Sequence, residues 1–118
     1  MQNASVTLDG TGNAIVVLRG DIDFTNSATV LGAIRSGISD ARPPEIQVDL
    51  ADVEFMDSSG LSVLVRVLHL AEERGAVLRV RNPSPKVLDQ LHLSGLAEVF
   101  RLPEPPRVRS PAPIDEAG

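Results

Sequence analysis

The apolar positions along this chain fall into two alternating rhythms. SVTL (residues 5–8) and AIVVL (14–18) are rich in β-branched side chains and flank DGTGN, whose glycines supply the positive φ a hairpin needs. They predict two antiparallel strands. After GDID comes FTNSATVLGAIRSGI, where Leu31, Ile34 and Ile38 recur at helical spacing with Thr25 or Asn26 as the N-cap. Gly32 and Gly37 weaken this helix by about 1 kcal/mol each, so it has to depend on packing.

ARPP is a stop, and EIQVDL then alternates, with Ile46, Val48 and Leu50 to one side and Gln47 and Asp49 to the other. This strand runs through ADVEFMD into a helix from about Ser58 to Arg74, ended by Gly75 at a left-handed cap. AVLRVR predicts a further strand and NPSPKVLDQLHLSG a short helix, with Ser84 as cap and Pro85 at its first position. EVFRL predicts a closing strand. The order β-β-α-β-α-β-α-β predicts an α/β fold, a mixed and mostly parallel sheet with an N-terminal antiparallel hairpin and helices packed on it. One domain over residues 1–102 accommodates it. Residues 103–118, dense in proline and poor in bulky apolar side chains, read as a disordered tail.

Composition narrows the function. A net charge of −5 and only three aromatics, all Phe, disfavour nucleic-acid binding, which draws on phosphate neutralisation and base stacking. With no cysteine, disulfides, thiolate catalysis and cysteine-ligated metals are excluded. MQNASVTLDG has neither a basic nor an apolar segment, and no apolar run reaches the ~18 residues that span a bilayer. The expectation is a cytoplasmic protein without membrane or cofactor.

In such a sheet the functional crevice lies beyond the carboxyl ends of the strands, where GDID and DSSG both fall. Asp57 or Ser58 can cap the helix, an interaction worth about 1 kcal/mol. One cap suffices, and two serines followed by Gly60 leave a spare hydroxyl. The helix start favours an anion, so the fold would tolerate a phosphorylated serine. A docking partner would meet about two new negative charges there, near Asp57, Asp23 and Asp21.

On the helix, Leu61, Leu64, Val65, Leu68 and Ala71 form the expected core stripe, and Ser62, Arg66, His69 and Glu73 face away. Val63, Val67 and Leu70 widen the apolar arc, either against a neighbouring helix or as a partner surface. A serine hydrolase is a weaker reading: His69 lies eleven residues from Ser58, about 16 Å along the helix, which leaves only His92 as a base. MDSSG does not fit the G-x-S-x-G elbow, no P-loop or dinucleotide fingerprint is present, and the histidines and carboxylates show no metal-ligand spacing.

FMDSSGL after IQVDL, GDID after the second strand, and the L-x-x-x-G-L-x-x-x-F ending within NPSPKVLDQLHLSGLAEVF resemble the bacterial anti-sigma-factor antagonists, which define the STAS domain. The resemblance covers about residues 5 to 102. It implies binding to an anti-sigma factor that is itself a serine kinase, release of a sigma factor, phosphorylation of Ser58 and reversal by a metal-dependent serine phosphatase. It also implies an acidic docking position at Asp23, and a recognition loop of Asp57, Ser59, Gly60 and Leu61. With Asp21 and Ser62 beside them, these form the expected partner surface. A phosphorylation-independent interaction module, in a signalling complex or transport assembly, is the alternative.

Overall fold

The computed structural model describes residues 3–102; the expected tail at 103–118 lies outside them. β1 (Ala4–Leu8) pairs antiparallel with β2 (Ala14–Ile22), joined by a turn that Asp9 holds. The Asp9 carboxylate accepts hydrogen bonds from the backbone N–H groups of Thr11 and Asn13, while Gly12 takes φ 86°.

From β2 the chain passes through α1 (Ser27–Ile38) to β3 (Glu45–Met56), then through α2 (Ser58–Glu73) to β4 (Val77–Arg81). β3 is parallel to both β2 and β4, giving the order β1-β2-β3-β4. Both crossovers step the same way across the sheet, so right-handed connections set α1 and α2 side by side on one face. Ala14, Val16 and Leu18 of β2 and Ile46, Val48 and Leu50 of β3 are fully buried. Alternation sends Ser5, Thr7, Ile15, Val17, Gln47 and Asp49 to the other face, where none is buried. That face also carries the Arg79–Glu45 ion pair.

The α/β class, the mixed sheet and the N-terminal hairpin are as the sequence predicts. α1 buries Val30, Ile34 and Ile38, with Leu31 only half-buried. Its N-cap is Asn26, one of the two expected positions, although the Asn26 side chain makes no capping bond. α2 ends as expected: Gly75 takes φ 70°, its N–H donates to the Glu72 carbonyl (3.2 Å) and the Ala76 N–H to the Ala71 carbonyl (2.8 Å). Its core stripe is rotated from the predicted one. Val63, Leu64, Val67, Leu70 and Ala71 are buried, while Leu61, Val65 and Leu68 are half-buried. The wide apolar arc therefore serves the neighbouring helix and sheet, and Val63, Val67 and Leu70 are not available to a partner.

α3 (Pro85–Leu93) starts at Ser84, whose hydroxyl accepts from the Val87 N–H at 3.2 Å. The closing strand predicted at EVFRL is instead a helical turn, α4 (Leu96–Val99). Gly95, at φ 80°, ends one helix and starts the next. Ala97 and Phe100 then reach the core three residues apart, a spacing that fits a helix but not a strand, where both could not share one face.

Candidate functional site

The carboxyl ends of β2 and β3 lie together, with Asp21 in register with Phe55 and Ile22 with Met56. The Asp57 N–H donates to the Ile22 carbonyl at 3.3 Å, which extends this junction beyond the sheet. Asp57 then takes the N-cap of α2. Its Oδ1 accepts from the Ser59 N–H (2.8 Å) and the Gly60 N–H (3.1 Å), and its Oδ2 from the Phe24 N–H in the β2–α1 loop (3.2 Å). One carboxylate thus caps a helix and ties two loops together.

The cap leaves both serines unused. Ser58 is exposed at the first position of α2, and its hydroxyl makes no hydrogen bond among the described residues. Ser59 is half-buried. Gly60 is buried, and its role is close approach: a Cβ there would be driven into the Ile22 carbonyl oxygen and the Met56 side chain. Leu61 packs half-buried against the core, and Ser62 is exposed one turn beyond Ser58.

The β2–α1 loop is braced from within. The Asp23 carboxylate accepts from the Thr25 hydroxyl and, at 2.9 Å, from the Thr25 N–H. The hydroxyl bond, followed by the backbone bond, holds its pKa below the ordinary carboxylate value. Asn26 accepts from the Asp23 N–H (3.0 Å) and donates to the Asp21 carbonyl (2.8 Å), so it shapes this loop rather than capping α1. Asp21 is exposed and Asp23 half-buried. On the other side, the Gln90 amide of α3 donates to the Met56 carbonyl at 2.6 Å, securing the end of β3.

All eight predicted site residues lie in the β2–α1 loop, its flanking strand end, or the N-cap and first turn and a half of α2. Ser58, Ser59 and Ser62 line an open groove of about 410 Å³ with Ser27, Ala28 and Leu31 of α1. Sequence reasoning missed Phe24, an aromatic side chain 76% exposed on the residue that Asp57 holds. Its position directly after GDID and before the expected N-cap was the available signal. Among the described residues no cluster of three or more His, Cys, Asp or Glu could hold a metal ion, and no helix is long and apolar enough to cross a membrane.

The STAS domain family model matches residues 5–109. An anti-sigma F factor antagonist from Paenibacillus polymyxa is 32% identical over 89 residues, 75% of this chain and 76% of the relative. The crystal structure of an anti-sigma factor antagonist from Mycobacterium paratuberculosis superposes with a TM-score of 0.68 at 32% identity, covering 84% of this chain and 82% of the other. A high affinity sulfate transporter from Stylosanthes hamata is 35% identical over 60 residues, 48% of this chain but only 9% of the transporter. With a family match along most of its length and relatives above 30% identity across most of both sequences, the chain belongs to the STAS domain family.

Proposed function

We propose that this chain is a cytoplasmic anti-anti-sigma factor that binds an anti-sigma factor with serine kinase activity and so frees a sigma factor. Phosphorylation of Ser58 ends that binding, and a metal-dependent serine phosphatase restores it. The observation that carries this reading is the Ser58 hydroxyl: exposed, outside the helix cap, and at the positive end of the α2 dipole. Capping, the structural explanation for a serine here, already belongs to Asp57. The similarity to anti-sigma factor antagonists supports the partner class.

The switch works through charge. Asp21, Asp23 and Asp57 already gather carboxylates at this end, and a phosphate would add about two negative charges beside them. A partner face suited to a neutral hydroxyl then meets repulsion and added bulk. Catalysis by Ser58 itself finds little support, since His69 is about 16 Å along the same helix and the hydroxyl has no base bonded to it among the described residues.

Incubation with the anti-sigma kinase of the same genome and ATP, followed by peptide mass spectrometry, is expected to place phosphate on Ser58. Phosphate solely on Ser59, or none from an active kinase, would refute the assignment. Ser58→Asp is expected to weaken kinase binding at least tenfold, about 1.4 kcal/mol. The local similarity to a transporter keeps a second reading in view, a phosphorylation-independent interaction subunit. Equal partner affinity before and after stoichiometric phosphorylation would favour it.

A further inference from the structure

The seam between α1 and α2 changes chemical character along its length. At the end where both helices begin, the groove is floored by small side chains, Ala28 and four serines among them. Arg66 stands at its far end and also opens a second depression of about 670 Å³, where it meets Arg35, His69, Glu73 and Arg74. The two depressions share Arg66 along the α1–α2 seam.

Charge differs between the two depressions. The Ser58 groove is lined by neutral side chains up to Arg66, with Asp57 and Asp23 in the adjoining loops, whereas three arginines, a histidine and Glu73 line the other. Arg74 is committed to the fold, donating from Nη1 to the Ala41 carbonyl at 2.7 Å. The side chains of Arg35, Arg66 and His69 make no hydrogen bond or ion pair among the described residues. Arg35 in the last turn of α1 complements the helix dipole. Arg66 and His69, in the body of α2, have no such role. In a chain of net charge −5, the unpaired guanidinium groups of Arg35 and Arg66 present a local field of the opposite sign.

We infer that the basic half of the α1–α2 seam is the second contact of the docking surface, receiving an acidic segment of the anti-sigma partner. This rests on the proposed function, since it takes the Ser58 end as the first contact. Two contacts of different chemistry, neutral hydroxyls at one end and guanidinium groups at the other, fix the direction in which the partner lies along the seam, as complementary potentials do at other interfaces. They also separate two tasks: the Ser58 end responds to phosphate, and the Arg66 end supplies attraction that modification leaves intact.

The test is the affinity of the full-length, unphosphorylated protein for the anti-sigma kinase of the same genome, measured for wild type, Ser58→Asp, Arg66→Glu, Arg35→Glu and Arg66→Lys. Arg66→Glu and Arg35→Glu are expected to lose tenfold or more in affinity and flatten its salt dependence; the melting temperature is expected to be unchanged for Arg66→Glu and to fall by a few degrees for Arg35→Glu, which also loses its favourable place at the α1 dipole. Arg66→Lys, which keeps the charge, is expected to stay within a few-fold of wild type. If Ser58→Asp weakens binding while both charge reversals bind as wild type does, the seam inference fails and the switch stands. If the wild type does not bind the kinase, the functional reading fails and takes the inference with it.

Discussion

The two serines beside Gly60 acquire different meanings once Asp57 is seen to do the capping. From sequence, Asp57 and Ser58 were equal candidates for the cap, because either places an oxygen near the first free N–H groups. What separates them is the Phe24 N–H, thirty-three residues away, bonded to the second oxygen of Asp57. That contact is long-range and leaves no trace in local spacing. Gly60 is similar: the motif is legible, but the reason for glycine is the Ile22 carbonyl, which only the packed sheet brings there. Gly60→Ala is accordingly expected to destabilise the protein by roughly 2 to 3 kcal/mol through overpacking. A thermal melt should show a fall of about 10 °C or more; an unchanged melting temperature would mean that α2 can shift away at no cost.

At the level of elements, alternation and capping chemistry located β1, β3, β4, α2 and α3 closely. β2 runs four residues past its predicted end because register shifts between Val17 and Arg19, and between Gly20 and Asp21, break the alternation that made it readable. The closing segment misled because Val99, Phe100 and Leu102 suit a strand locally, while the core selects Ala97 and Phe100. α1 offers a sharper test of what packing adds to propensity. A Cβ at Gly32 meets nothing within 4 Å, whereas one at Gly37 would lie 2.5 Å from the Val6 Cβ on β1. Gly32→Ala is expected to raise stability by up to about 1 kcal/mol. Gly37→Ala, with the same gain in helix propensity, is expected to lower it, and paired denaturant titrations would show opposite shifts in midpoint. The expectation that this helix depends on packing thus becomes specific to the α1–β1 contact at Gly37.

For the whole molecule, the proposed switch requires the fold to outlast the modification. A phosphate on Ser58 would sit at the start of α2, where the dipole offsets part of its cost, by about 0.3 to 1 kcal/mol. The phosphorylated full-length protein is therefore expected to melt within about 5 °C of the unmodified one, with its far-ultraviolet circular dichroism unchanged. A much larger drop would mean that partner release follows from unfolding rather than repulsion. The sheet's less covered face has a practical corollary. Thr7 projects from it, level with Ile15, roughly 20 Å by strand rise from the ends that lead to Ser58. Since the sequence contains no thiol, a cysteine placed there would accept a single fluorophore, on the reverse of the molecule, from which capture and release by the kinase can be followed in real time without obstructing either.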